Sequence, residues 1–313
     1  SDTFTKEPWA YGNGTGLIAA EYLRLRHRMI PFLYSASVEV TENGLALIES
    51  MYYGWADEPK AYQCPNQYLF GGQMIVAPVT ARSEAEGMTR VQVWLPEGTW
   101  TDFFTGDEYT GGRGLTVVRW LEEMPVFLKE GGFFVLDDRK YTNDVENPNQ
   151  LKVYVTNGNG RYTLHEEQDG TRVDTVFVSK AGEGVQSVTF SCDGVQPRCY
   201  RFVFSNILTG DVTVLADGAA YPSIVNDNGR LSVTLEGIQQ NIQYEITVRY
   251  EEQSDEKKKE ALQKTITKLQ MDNNEKNTFY EKLLSADGEE YRKIAEQMPV
   301  PQIAKERLFE IRS

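Results

Sequence analysis

The apolar positions of this chain change period along its length, and each change marks an element. Ile18, Tyr22, Leu25, Met29 and Leu33 recur at steps of three and four, with Glu21, Arg24 and Arg28 largely on the other side. That spacing predicts a helix over about 17–42 with one apolar face. Asn43-Gly44 closes it, because glycine tolerates the left-handed residue that ends a last turn. Pro31 lies inside the pattern; it lacks a backbone donor and crowds the preceding turn, so a kink or two abutting helices is expected there. Upstream, Gly12-Asn-Gly-Thr-Gly16 reads as a loop entering the helix, with Thr15 as its cap. It lacks the preceding strand and spacing of a phosphate-binding loop.

Beyond Gly44 the period becomes that of extended chain. The stretch 45–53 is rich in apolar and aromatic residues, and 68–80 reads as two buried strands around Gly71-Gly72. Val91, Val93 and Leu95 alternate with Arg90, Gln92 and Trp94, which predicts one buried and one partly exposed face. Turn signals at 96–98, 105–107 and 111–114 separate short strands, the pattern of a sandwich over 45–140. A second sandwich is expected over 141–250, entered near Asn147-Pro-Asn149. Within it Leu231, Val233 and Leu235 alternate with polar residues, as do Ile242, Tyr244, Ile246, Val248 and Tyr250.

After Tyr250 a charged run, 251–260, gives way to helical spacing at Leu262, Ile266 and Leu269. Asp272 is placed to cap a helix holding Phe279, Leu283 and Leu284. Asp287 and Glu290 have capping-box spacing before Tyr291, Ile294 and Met298. Pro299 stops that helix, and Ile303 with Leu308-Phe309 suggests one more. The tail at 251–313 is thus read as three or four short helices. They serve as an appendage packed on a sandwich or as a docking surface for another protein or subunit; unbroken heptads are lacking, which counts against a coiled coil.

Composition narrows the function. At 313 residues the chain is long enough for two or three domains. A net charge of −14 argues against a nucleic-acid partner, since phosphate contacts need clustered Lys and Arg. No apolar run reaches about 18 residues, so no membrane span is expected. Cys64, Cys192 and Cys199 are odd in number and unpaired in spacing, which suggests reduced thiols in a cytoplasmic protein. The start, Ser-Asp-Thr-Phe-Thr-Lys, has no signal-peptide pattern and no initiator Met, and reads as an internal start.

Several stretches together resemble glycoside hydrolase family 31. Glu7-Pro8-Trp9, Leu23-Arg-Leu-Arg26, Ile30-Pro-Phe-Leu-Tyr34, Asn66-Gln-Tyr-Leu-Phe-Gly71 and Ile75-Val-Ala-Pro-Val79 are similar to the end of its catalytic barrel and the strands after it. Residues 94–106 and 124–132 resemble its proximal sandwich, and 162–170 a loop of its distal sandwich. The resemblance implies a mainly β chain: the last helix of a (β/α)8 barrel at 1–44, two β-sandwiches, and a helical extension. It implies the C-terminal part of a retaining α-glycoside hydrolase, α-glucosidase-like, acting on terminal α-glucosides of oligosaccharides. An α-glucosyltransferase is the alternative within the family. Many members carry Arg-Pro where this chain has Glu49-Ser50, which resembles a bacterial subgroup containing transferases as well as hydrolases. A non-catalytic carbohydrate-binding or interaction module is the alternative from another class.

Glycosidic hydrolysis needs two carboxyl groups flanking the bond. The strand motifs that carry both aspartates in the family have no counterpart here, and a barrel needs about 250 residues where only sixteen precede the helix. No catalytic residue is therefore assigned, and the chain alone is expected to be inactive. Its expected partners are an upstream catalytic part, an oligosaccharide and, through self-association, a homo-oligomer. No metal or organic cofactor is implied.

Trp9, next to Glu7 at the rim of the implied barrel, is the candidate substrate-binding residue, with a structural anchor as the alternative. His27 lies mid-helix without a partner at fixed spacing. His165, Glu166, Glu167 and Asp169 form a metal-like cluster by residue type only, and a turn with solvated carboxylates is expected. Trp94, Trp100, Phe103, Phe104 and Tyr109 read as core rather than a sugar-stacking platform. The apolar face of the 17–42 helix is expected to find no cover within its own chain.

Overall fold

The predicted helix is two abutting helices, α1 (Asn13–Arg28) and α2 (Ile30–Asn43), which meet at Met29. Pro31 explains the break: it occupies the first turn of α2, where a missing N–H costs nothing. Gly44 closes α2 in the left-handed region, at φ +68° and ψ 17°. Thr15 lies inside α1 and is not its cap, because the helix starts at Asn13. The computed structural model describes residues 7–139, 144–193 and 198–312; the expected internal start at 1–6 lies outside the described residues.

The chain is mainly β and divides into two compact units. One comprises the residues up to Leu47 with Phe133–Phe204 and Asp211–Arg249; the other comprises Ile48–Gly132, Ser205–Gly210 and Tyr250 onward. These boundaries differ from those drawn at 44, 140 and 250. The reasons are backbone pairing at 133–137 and side-chain packing of the tail, neither of which composition reveals.

The second unit contains β1 (Ile48–Ser50), β2 (Tyr68–Phe70), β3 (Met74–Val76), β4 (Met88–Leu95), β5 (Thr99–Asp102), β6 (Glu108–Thr110), β7 (Arg113–Trp120) and β8 (Val126–Lys129). They form a sheet of order β1-β2-β3-β8-β5-β6 and a β4-β7 ribbon. The stretch expected to be extended at 45–53 is only a short strand, because the chain then turns into α3 (Met51–Gly54) and buries Met51. Gly71 and Gly72 both take positive φ, as the tight β2–β3 turn requires.

Four helices end this unit: α4 (Ser254–Lys268), α5 (Asn273–Ser285), α6 (Gly288–Glu296) and α7 (Gln302–Arg312). The β4–β7 ribbon contributes to two cores. Val93, Leu95 and Val117 join Ile75, Trp100 and Phe127 in the sandwich core. Met88, Val118 and Trp120 instead join Leu262, Ile266, Leu283, Tyr291 and Leu308 of the tail. Trp94 also lies in the sandwich core, 4% exposed against the expected alternation, and its ring meets Trp55 edge-on at 5.9 Å. Asp272 caps α5, accepting from the Asn274 N–H at 2.8 Å. Asp287 holds the cap position of α6 without a side-chain capping bond.

The first unit holds β9 (Phe133–Asp137), β10 (Gln150–Val155), β11 (Gly160–Gln168), β12 (Thr171–Gly182), β13 (Val185–Cys192), β14 (Arg198–Phe204), β15 (Asp211–Ala216), β16 (Ala219–Ala220), β17 (Ile224–Asn226), β18 (Ser232–Ile238) and β19 (Tyr244–Arg249). Sheets of order β17-β18-β14-β10-β9 and β11-β12-β13-β19-β15-β16 face one another. Phe177 of one sheet lies 5.9 Å from both Phe133 and Phe202 of the other, which fixes the middle of a sandwich core. The alternation expected at β18 and β19 is present: Val233, Leu235, Tyr244, Ile246 and Val248 are buried. Ile242 and Tyr250 fall outside the strand.

A buried charge network ties α7 to the second unit's strands. Arg119 has no solvent exposure and donates to Asp102 at 2.8 Å, to Glu310 at 2.7 Å and to the Tyr109 hydroxyl at 3.0 Å. Asp102 also accepts from the Phe104 and Thr105 N–H groups. Glu310 accepts from the Val118 N–H, and Arg307 bonds Asp107 at 3.0 Å. Burial alone would raise the Glu310 carboxyl, but Arg119 and Arg307 outweigh it and hold the group down at about 2.

Glu310→Gln should destabilise this unit by about 3–5 kcal/mol, because it leaves a buried guanidinium undercompensated. Trp55, Trp94, Trp100 and Trp120 all lie in this unit, so tryptophan fluorescence during urea unfolding reads the change. The folded Glu310 value is depressed, so its contribution is present above the unfolded value and lost as pH falls from about 4.3 toward 2. The variant should lack that increment of acid sensitivity.

Candidate functional site

The candidates from sequence fall mostly in the first unit, around α2 and strand β11. β11 is an edge strand, and α2 lies along it. An open edge presents unpaired backbone groups, and here Ser35 of α2 satisfies one residue of it. Its hydroxyl accepts from the His165 N–H at 2.9 Å, and its proton lies between the Pro31 carbonyl at 2.9 Å and the His165 carbonyl at 3.3 Å. Phe32, fully buried, packs edge-on against Phe134 at 5.1 Å and stacks with Tyr162 at 6.1 Å.

The metal-like cluster is thereby resolved into separate structural pairs. The His165 ring is buried, with Nδ1 2.7 Å from Asp174 and Nε2 3.2 Å from Glu39 of α2. Glu166 is 3% exposed and meets Arg198 at 2.9 and 3.1 Å. Burial pushes its carboxyl up, with Arg198 opposing. Glu167 approaches the Tyr34 hydroxyl at 3.4 Å. The expected solvated turn is thus corrected at His165 and Glu166, which lie in a strand and are buried. Among the described residues no group of three or more His, Cys, Asp or Glu could hold a metal.

His27 Nε2 lies 3.2 Å from the Asp144 carbonyl and meets no carboxylate among the described residues. Trp9 lies in a short 3-10 turn, Pro8–Tyr11; its side chain is outside the described residues. Glu7 is exposed at that turn. Trp94, Trp100 and Tyr109 are buried core side chains, and Phe103 and Phe104 are half-buried.

α1 differs from α2. None of its residues is buried, and Leu17 and Leu23 are 69% and 54% exposed. The expectation that the long apolar stripe has no cover in its own chain therefore fails for α2, which Phe134 and Tyr162 cover. In α1 the stripe residues Ile18, Tyr22 and Leu25 are partly buried, and the exposed apolar side chains are Leu17 and Leu23, off that stripe.

A profile of the glycosyl hydrolase family 31 C-terminal domain matches residues 44–133, close to the 48–132 stretch of the second unit. This chain carries a family 31 C-terminal domain. α-Glucosidase 2 of Bacillus thermoamyloliquefaciens is 29% identical over 72% of this chain and 30% of its own length. Isomaltosyltransferase of Sporosarcina globispora is 28% identical over 42% of this chain and 12% of its own. The fold matches a Flavobacterium johnsoniae GH31 dextranase at a TM-score of 0.68 and 20% identity, covering 78% of this chain and 34% of that one. The chain thus spans about a third or less of each of these relatives.

In the family 31 domain, Gln67 is a residue whose role spacing does not reveal. Its amide brackets one residue of β4, accepting from the Trp94 N–H at 3.0 Å and donating to the Trp94 carbonyl. It thus supplies the hydrogen bonds of a neighbouring strand to that residue. Arg119, Glu310 and Arg198 were also missed; the one local signal was a charged residue inside an apolar strand, as in Leu115-Thr-Val-Val-Arg-Trp120.

Ser35→Ala should cost about 1–3 kcal/mol, because it orphans the His165 N–H at a buried edge. Because His165 and Glu166 are already paired, neither calcium nor a chelator should shift the melting temperature of wild type; thermal denaturation checks both.

Proposed function

We propose that this chain is the C-terminal portion of a retaining, α-glucosidase-like hydrolase of terminal α-glucosides. In this reading α1 and α2 end the catalytic (β/α)8 barrel, whose nucleophile and acid lie in an upstream part. The observation that carries it is the exposure of Leu17 and Leu23 on α1, a helix with no buried residue, beside an α2 that seats Phe32 against its own sheet. A helix with Leu17 and Leu23 in water has surface suited to packing against further protein. The fraction of each relative that the chain spans supports the same reading. Trp9 is the substrate contact we assign, at the rim of that barrel, and no residue of this chain takes a catalytic role. The free thiols of Cys64, Cys192 and Cys199 favour a cytoplasmic enzyme.

A glucosyltransferase is the second reading, favoured by Glu49-Ser50 and by the similarity to an isomaltosyltransferase. The two differ in acceptor, so product analysis with and without added maltose separates them. A free-standing carbohydrate-binding module should mask α1, for instance by self-association.

The purified 313-residue chain should not release nitrophenol from an aryl α-glucoside. Adding the upstream part as a separate polypeptide should restore activity, and Trp9→Ala in the reconstituted enzyme should raise KM more than it lowers kcat. Turnover by the isolated chain would overturn the reading.

A further inference from the structure

The second unit also holds a cavity of about 450 Å³ between the 59–66 loop and β4. That is within the range of small-molecule sites, about 300–1,000 Å³. Lys60, Gln63, Asn66, Thr80 and Gln92 line it around the Cys64 thiol, and no aspartate, glutamate or histidine does. In a chain with 46 acidic residues against 32 basic ones, an acid-free lining is a selective feature.

The two cations at the cavity are in different states. Arg90 is already spent on carboxylates: it bonds Glu306 of α7 at 2.6 and 2.9 Å and also pairs with Glu84. The Lys60 ammonium and the Gln63 amide have no polar partner among the described residues. Asn66 donates to Thr80 at 3.4 Å and Gln92 donates to Thr116 at 2.7 Å, so both amide oxygens keep acceptor capacity. One uncommitted cation, one free amide and two amide acceptors complement a molecule with a single anionic group and several hydroxyls.

We propose that this cavity binds a small polyhydroxylated anion, of the sugar-phosphate or sugar-acid class. Lys60 meets the anionic group as a point charge, and Gln63, Asn66 and Gln92 meet the hydroxyls. Bound ligand covers Cys64.

Calorimetry with the full chain tests this, using glucose 6-phosphate, glucuronate, glucose and inorganic phosphate as separate probes. Saturable binding of one or both hydroxylated anions is expected, with glucose and phosphate each weaker by about tenfold or more. The preferred probe identifies the source of the charge. Lys60→Met, at an exposed position, should weaken that binding about tenfold while leaving the melting temperature unchanged. Saturating ligand should slow alkylation of Cys64, mapped by peptide mass, and leave Cys199 labelling unaffected. The proposal is overturned if neither anion binds by about 10 mM. It is equally overturned if glucose binds as well as its phosphate, or if Cys64 labelling and the Lys60 variant show no effect.

Discussion

The burial of Arg119 is the constraint on which the second unit depends. A guanidinium cannot shed its charge inside a protein, so complete removal from water obliges the fold to surround it with acceptors. Three distant stretches supply them: Asp102 at the end of β5, Tyr109 in β6 and Glu310 in the last helix. The helical tail is therefore not an appendage laid on a finished sandwich. It delivers one of the two carboxylates that make the sandwich's own interior charge tolerable. The two carboxylates answer differently to the same burial. The Asp102 carboxyl is pushed up by desolvation, with Arg119 opposing, whereas at Glu310 the two arginines prevail.

A weaker constraint of the same kind organises the first unit. A sheet whose outer strand ends in water invites other strands to pair with it. Here α2 lies along β11 and uses one serine hydroxyl to occupy both backbone groups of His165. Glu39, one turn further along the helix, meets the imidazole of the same residue. Phe32 then seats α2 among Phe134 and Tyr162. The helix is thus held by directional bonds at the strand edge and by aromatic packing.

How far each element is legible in sequence depends on how local its cause is. Pro31 and Gly44 set the ends of α2 through their own backbone preferences, so the helix break and its stop were legible. The strict alternation of β18 and β19 reports sheets with one face in a core, and Asp272 reports a cap two residues away. Trp94 misled because Trp55 and Gln67, from the chain before β2, cover it on a side of β4 where Gln92 stays exposed. Met51 was missed because one helical turn redirects it inward. His165 and Glu166 looked like ligands because their true partners, Glu39, Asp174 and Arg198, lie far off in sequence or on a neighbouring strand. Arg119 and Glu310 are 191 residues apart, and no window of sequence pairs them.

The apolar residues of α1 and α2, which precede the stretch matched by the family 31 profile, are covered unevenly. Had the whole stripe been open, any large partner would serve, and had it all been covered, none would be needed. The chain seats Phe32 of α2 in its own sandwich and leaves Leu17 and Leu23 of α1 largely in water. The exposed apolar surface is therefore confined to α1, which adjoins a helix already packed on a sandwich. Exposed leucines on a helix suit contact with further protein.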